Sequence, residues 1–352
     1  MKKIRLFLLI VVWSFLMAGC VDLTTSNQEK PFKLESMRVH FLNVGQGNAV
    51  FIEGGEGQTL LYDVGGDGDV GKQIVDYIQK CGYESLDVMV ISHPHADHMN
   101  GAPYILEKIK VHAVYHPKVT HTTQLFEDFV QGVKKANLSL KPVKAGMEIP
   151  FGNMQVKVLG PCSDYYEGLN DYSVVLQVKD EHFSVLLTGD IEALAEEEVI
   201  SSGKDLHADV LQVPHHGSSS SSTQDFLQKV NPKYSILSLA ADNKYGHPHK
   251  EVMERLVKLD TEILRTDEQG TIVASYQGDA LVIETEKGIQ TPNMDKKYID
   301  EKTGQGLIKG NKNSKVYHMP EGAHYDSVKE DNVIWFQTER EAVNAGYRRS
   351  KR

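Results

Sequence analysis

From Met37 the chain reads as short apolar runs of strand length, separated by turns rich in glycine or charge. MRVHFLNV and NAVFIEG flank Gly45-Gln46-Gly47, and QTLLYDVGG follows. VGKQIVDYIQKCG has helical spacing and leads into LDVMVISHPHADH, an apolar strand that runs straight into histidines. A second half repeats the alternation. MQVKVLGP, YSVVLQVKD and FSVLLTGD read as strands, IEALAEEEVISSG as a helix, and HADVLQVPHHGS as a strand that again ends in histidines. PKYSILSLA, a helix near HKEVMERLVKL, and EILRTDEQGTIVASYQGDALVIETE complete the series. Strands alternating with helices over residues 37–288 predict an α/β protein with mixed sheets.

The two ends follow other rhythms. Ile4 to Leu16 is an apolar run broken only by Arg5 and Ser14, behind the basic residues Lys2, Lys3 and Arg5. It is shorter than the about 20 residues of a spanning helix and has the form of a secretory signal. Met17-Ala18-Gly19-Cys20 then resembles the lipobox of bacterial lipoproteins, so residues 1–19 are expected to be removed and Cys20 lipidated. That places the protein outside the cytoplasm, anchored to the membrane by lipid. Residues 20–36 are polar and read as a tether. Residues 289–306 read as a linker, and residues 307–352 as a small C-terminal module with a solvated basic end.

Length and charge narrow the classes. The 352 residues allow two domains, or one large fold with an appendage. Hydrophobic content of 40% with 24% charged residues excludes a disordered or polytopic membrane chain. The net charge of −10 becomes −13 once Lys2, Lys3 and Arg5 leave with the signal. That balance argues against non-specific duplex binding through a broad basic surface, but does not exclude a nuclease, because metal ions can supply positive charge locally. Three cysteines exclude a disulfide scaffold; Cys81 and Cys162 remain after the signal, and nothing in their spacing requires a bond.

The chemistry concentrates in HPHADH. His93, His95, Asp97 and His98 lie within six residues at the end of an apolar strand, where desolvating them is costly without compensation. Imidazole and carboxylate are ligands that first-row divalent metals prefer. His93 and His95 can face one ion while Asp97 and His98 turn to a second about 3.5–4 Å away. Asp190 ends the FSVLLTGD strand, where a carboxylate can bridge two metals, and His215 and His216 end another. Strand side chains alternate, so one of these two ligates and the other faces substrate. Taken singly, Asp190 would also serve as a helix N-cap. Ser218 to Ser222 lack an ordered base and read as a flexible loop or capping stretch at the rim. Gly45-Gln46-Gly47 and the later GGEG read as hairpin turns, since neither carries a phosphate-loop fingerprint.

Taken in order, these segments resemble the metallo-β-lactamase superfamily over residues 37–288. VHFLNVGQGNAVFIE, LLYDVGG, VISHPHADHMNG, NDYSVVL, LLTGD, VPHHGSSSSS, KYGHPH and RTDEQGTI resemble the extracytoplasmic hydrolase domain of ComEC-type competence proteins. The resemblance implies a four-layer αββα sandwich with two divalent ions, zinc or manganese, at one edge of paired sheets, and Gly45-Gln46-Gly47 close to that edge. It implies ligands at His93, His95, Asp97, His98, Asp190 and one of His215 and His216, with Asp63 orienting a ligating histidine. Many members carry a further histidine near Asn170-Asp171-Tyr172-Ser173. The competence-type pattern has Asn/Asp-x-x-Ser there, so Asn170 or Asp171 can lend an oxygen. His182 nearby reads as a surface residue of a hairpin turn.

The implied function is a phosphodiesterase or nuclease acting on DNA, or on another phosphodiester polymer, through a metal-activated hydroxide, with Asp97 and His247 as catalytic residues. His247, in Tyr245-Gly246-His247-Pro248-His249, is placed to bind a phosphoryl oxygen or protonate the leaving alkoxide. Two alternatives stand beside it: a same-fold hydrolase of a teichoic-acid phosphodiester, lactone or amide, and a non-catalytic binding lipoprotein. The tail resembles small modules appended to secreted bacterial nucleases, and its His318 and His324 read as surface residues. No protein partner can be inferred.

Overall fold

The computed structural model describes residues 34, 36–277, 280–289, 298–300, 302–320, 322 and 324–350. The signal peptide, Cys20, the tether through residue 33 and residues 290–297 of the linker lie outside the described residues.

Two sheets stack face to face. The first runs Gly288–Ile289, Ala280–Thr285, Ile272–Gln277, Arg38–Phe41, Val50–Glu53, Thr59–Tyr62, Ser85–Val90, Lys110–Pro117 and Leu140–Val143. The second runs Glu262–Arg265, Tyr234–Leu237, Val210–Gln212, Ser184–Leu187, Val175–Lys179 and Gln155–Gly160. The period-two alternation of the strands sorts side chains between layers. Val50, Ile52, Leu60 and Tyr62 enter the space between the sheets and meet Val156, Leu176, Val185, Leu187 and Val210. Phe51 and Leu61 point the other way, into an apolar layer shared with helices Val70–Lys80, Ala102–Lys108 and Gln124–Lys135. Val175, Leu186 and Leu211 do the same beneath helices Ala193–Ser201, Gln224–Val230 and Lys250–Leu259. The result is an αββα sandwich. Tyr62 is wholly buried, and its phenol donates to the Val174 carbonyl at 2.7 Å, tying one sheet to the other.

Strand direction then decides where chemistry can sit. Thr59–Tyr62, Ser85–Val90 and Lys110–Pro117 are parallel, as are Ser184–Leu187, Val210–Gln212 and Tyr234–Leu237. Their carboxyl ends gather at one edge, so the segments beginning at Asp63, His93, Asp190 and His215 converge without any long loop.

Residues 298–350 build a four-stranded sheet ordered Val333–Phe336, Ile308–Asn311, Val316–His318 and Arg348–Arg349, over a small core of Ile308, Tyr317, Met319, Phe336, Ala342 and Tyr347. Within the segment read as a linker, Ile289 pairs with Glu284 and Ile299 bridges Gly306. Tyr347 is buried, and Arg348–Arg349 pairs in parallel with Val316–Tyr317. The start of the basic end is thus a strand rather than a solvated tail, because Tyr347 anchors it against Phe336. Cys81 and Cys162 are free and pack into opposite helical layers. No helix among the described residues is long and apolar enough to cross a membrane.

Candidate metal centre

Each site loop turns sharply as it leaves its strand. Asp63, His215 and His216 have φ of 55°, 51° and 53°, a left-handed conformation that costs a non-glycine residue about 1–2 kcal/mol. The loops are also pressed together. A Cβ on Gly65 would lie 2.1 Å from the Asp97 carbonyl oxygen, and one on Gly47 would lie 2.5 Å from that of Gly65.

Asp63 organises the first sheet's contribution. Its Oδ1 accepts the Ser92 N–H at 2.7 Å, and its Oδ2 accepts from Asn48 Nδ2, Ser92 Oγ and His98 Nδ1 at 3.0, 2.8 and 2.7 Å. A carboxylate can only accept, so His98 donates from Nδ1, which leaves Nε2 as the atom turned to Asp190 and free to ligate when the ring is neutral. Nε2 lies 3.1 Å from Asp190 Oδ1, and both atoms are buried without a hydrogen bond. His216 repeats the device from the second sheet. Its Nδ1–H donates to the Ser238 carbonyl at 2.6 Å, and its buried Nε2 stands 3.6 Å from Asp97 Oδ2 and from Asp190 Oδ2. Ligand atoms of Asp97, His98, Asp190 and His216 all fall within 4.8 Å of one another. Lone pairs of two anchored imidazoles converging on two carboxylates fit a divalent cation.

His93 and His95 stand beside this group. His93 is fully buried and its Nε2 is 2.9 Å from His95 Nδ1; its ring centroid is 4.2 Å from that of His98. Ser173 Oγ accepts the Asp190 N–H at 3.0 Å and lies 3.2 Å from His93 Nδ1, so this serine holds both loops. The electrostatics follow from burial and crowding. Burial favours neutral His93 and His95, and neighbouring His98 adds to it; both have lowered pKa values. Burial pulls His98 the same way, but Asp190 and Asp63 outweigh it and raise the pKa. Burial would raise Asp190; His98 and His216 hold it well below the usual carboxylate range.

Of the paired histidines, His216 joins the cluster, while His215 sits on the rim with Nδ1 near Glu192 Oε1 at 3.3 Å and Ser220 Oγ at 3.2 Å. Asn170 lines the cleft with a buried, unpartnered Oδ1, whereas Asp171 turns away to accept the Glu192 N–H at 2.9 Å. Asp190 caps no helix; the cap position belongs to Glu192. His247 lies over the cluster, its ring 6.3 Å from that of His216 and tilted by 21°, with Tyr245 stacked on it at 5.5 Å. Burial and the neighbouring His216, His215 and His249 bring the His247 pKa down to about 4. The serine run is pinned rather than loose: Ser222 and Thr223 donate backbone N–H groups to the buried Glu196 carboxylate, and Thr223 caps the next helix. Sequence reasoning missed Asn48, Glu192 and above all Gln46, which lines the metal cleft of about 330 Å³. The signals for Gln46 were a polar residue flanked by glycines between two strands and a resemblance that sets this turn close to the metal edge, and neither gave the side chain a role.

Fold and site together define a class: an αββα sandwich with a histidine–aspartate metal centre at the carboxyl edge of both sheets. The sequence profile of the family described as Metallo-beta-lactamase superfamily matches residues 42–241, and the chain belongs to that superfamily of hydrolases. A second profile, ArfC, matches residues 297–349. Among curated proteins, the chain is 30% identical over 256 residues to ComE operon protein 3 of Bacillus subtilis, covering 68% of this chain and 33% of that one. It is 31% identical over 260 residues to Recombination protein 2 of Haemophilus influenzae, covering 72% and 31%. To Competence protein ComA of Neisseria gonorrhoeae it is 28% identical over 231 residues, covering 65% and 31%. The chain thus resembles ComEC-type competence proteins and spans about a third of the length of these relatives. The solved structure of YhfI, a metallo-beta-lactamase fold protein from Bacillus subtilis, aligns at 14% identity and a TM-score of 0.46, over 67% of this chain and 99% of that one.

Proposed function

We propose that this hydrolase is a phosphodiesterase acting on DNA outside the cytoplasmic membrane, tethered there through Cys20. The observation that carries the reading is the convergence of unpartnered His98 Nε2, His216 Nε2 and Asp190 Oδ1 in one buried pocket open to a cleft. Asp97, His98, Asp190 and His216 would hold one divalent ion; His93, His95 and Asp190, with Asn170 Oδ1 in reach of the cleft, would hold a second, zinc or manganese. Such ions supply an acidified water and positive charge against a phosphodiester.

The chain's own groups do the rest. Asp63 and the Ser238 carbonyl take the Nδ1–H groups of His98 and His216, so that Nε2 turns to the Asp190 carboxylate in both. Ser173 keeps the Asp190 loop in register with His93. His247 is neutral near pH 7, and a neutral ring suits donating a hydrogen bond to a phosphoryl oxygen. Relatives named for competence and recombination support DNA as the polymer.

The test uses protein stripped of metal and reloaded with zinc or manganese, assayed on labelled single- and double-stranded DNA and on bis-p-nitrophenyl phosphate. Cleavage of DNA that is lost in Asp97→Asn supports the reading. Cleavage of the small diester alone moves the substrate to another phosphodiester polymer, and silence on both refutes it. For the anchor, Cys20→Ser is expected to shift the protein from the membrane to the soluble fraction.

A further inference from the structure

The metal cleft does not end at the metal ligands. A second cleft of about 410 Å³ adjoins it, and Gln46, Ala96, Asp97 and Tyr245 line both.

Gln46 sits at the seam and is held from both sheets. Its backbone N–H donates to Asp67 Oδ2 at 2.8 Å, and its Oε1 accepts the Ala240 N–H at 3.2 Å from across the edge. The preceding Gly45 has φ of 74°, and a Cβ there would lie 2.1 Å from Asp67 Oδ2, so the turn admits no other arrangement cheaply. With Oε1 committed as acceptor, the amide nitrogen is the free end. It is buried and has no partner, which leaves a donor ready for an oxygen acceptor in the cleft.

Tyr245 forms the outer wall. It is 50% exposed, and its ring lies 20° from parallel to that of His247, which in turn is 21° from parallel to that of His216. A row of rings therefore leads from solvent to the metal pocket. Asn243 makes this loop rigid: its Oδ1 accepts the N–H groups of Tyr245 and His247, and its Nδ2 donates to the carbonyls of Ala240 and His247. Lys244 Nζ lies 5.2 Å from the Tyr245 centroid. A fixed, exposed aromatic ring with a lysine cation over it is what an unpaired base stacks on once that side chain turns aside, and it offers little to a polymer without flat rings.

We propose that the second cleft holds the nucleotide next to the scissile phosphodiester of a single strand, its base on Tyr245, while Gln46 Nε2 donates to a phosphoryl oxygen at the seam. The assignment rests on the phosphodiesterase reading and names which part of the substrate this face selects.

The test compares the metal-loaded full chain with Tyr245→Ala, Tyr245→Trp and Gln46→Ala. Substrates are a short labelled single-stranded oligonucleotide and a small dialkyl phosphodiester without aromatic rings, and oligonucleotide binding is followed by fluorescence anisotropy. Tyr245→Ala is expected to lower kcat/KM on the oligonucleotide about tenfold more than on the small diester, chiefly through KM, with Tyr245→Trp restoring the preference. Gln46→Ala is expected to raise KM about tenfold on both substrates. An unchanged preference in Tyr245→Ala overturns the stacking site, and an unchanged KM in Gln46→Ala overturns the donor. Wild-type protein that cleaves neither substrate refutes the phosphodiesterase reading instead. Binding then decides the cleft: oligonucleotide affinity that falls in Tyr245→Ala supports it, and equal or absent binding overturns it.

Discussion

His98 Nε2 and Asp190 Oδ1 lie 3.1 Å apart in a buried pocket and share no hydrogen bond. One residue comes from the edge of the first sheet and the other from the edge of the second, so the pocket exists only when the sandwich is closed. Asp63 takes the remaining N–H of His98, which leaves this pair suited to a cation. Replacing Asp190 with alanine is therefore expected to strip the bound metal and lower hydrolysis by at least about 100-fold, more than supporting residues usually cost. Metal analysis and circular dichroism check it: wild-type metal content in a folded variant would remove Asp190 from the ligands.

Asp63 touches no cleft atom directly and acts through His98 and the Ser92 backbone. Asp63→Asn keeps the shape but weakens the acceptor for His98 Nδ1–H. Zinc affinity should fall about 10- to 100-fold, as measured by competition with a chromophoric chelator, with far-UV circular dichroism unchanged.

Much of this centre was legible in the sequence because it is local in kind. HPHADH, Asp190 and the His215-His216 pair each follow an apolar strand, and strands that end together bring their tails together. The alternation argument failed to choose between His215 and His216 because both adopt positive φ, so neither obeys strand geometry. Gln46 stayed hidden for a different reason. Its side-chain partner, Ala240, lies 194 residues away, just past the Tyr234–Leu237 strand of the other sheet, and no local pattern announces that contact. Ser218 to Ser222 were legible as a stretch at the rim but not as a fixed one: Glu196, which accepts the Ser222 and Thr223 N–H groups, is on a helix that the serines themselves do not reveal.

Close approach of the loops makes a prediction about glycine. In Gly65→Ala the new Cβ would lie 2.0 Å from the Asp97 carbonyl carbon and 2.2 Å from the His98 nitrogen. The loop must shift, destabilising the protein by about 1–3 kcal/mol or more and loosening the metal. Gly168→Ala, with nothing within 4 Å, is the control and should leave the denaturant midpoint in place.

His116 provides a pH dependence away from the metal. It is buried against Phe126 and Phe129, donates from Nδ1 to the Pro117 carbonyl at 2.6 Å, and burial brings its pKa down to about 4 from 6.5. The unfolded chain thus binds a proton that the folded chain refuses. This residue's contribution is complete above pH 6.5 and is lost as pH falls toward 4, about 2 kcal/mol by pH 5. In metal-stripped protein, His116→Asn should flatten the decline of stability between pH 7 and pH 5 by about that amount in urea titrations. An unchanged slope would show that His116 is protonated in the fold.

The most direct test of the metal centre is to titrate stripped protein with zinc or manganese while recording bound metal and hydrolysis of bis-p-nitrophenyl phosphate in the same sample. Hydrolysis should be absent without metal, rise as both sites fill, and stay absent in Asp190→Ala at any metal concentration. Full activity in stripped protein, or wild-type binding and turnover by Asp190→Ala, would contradict the assignment.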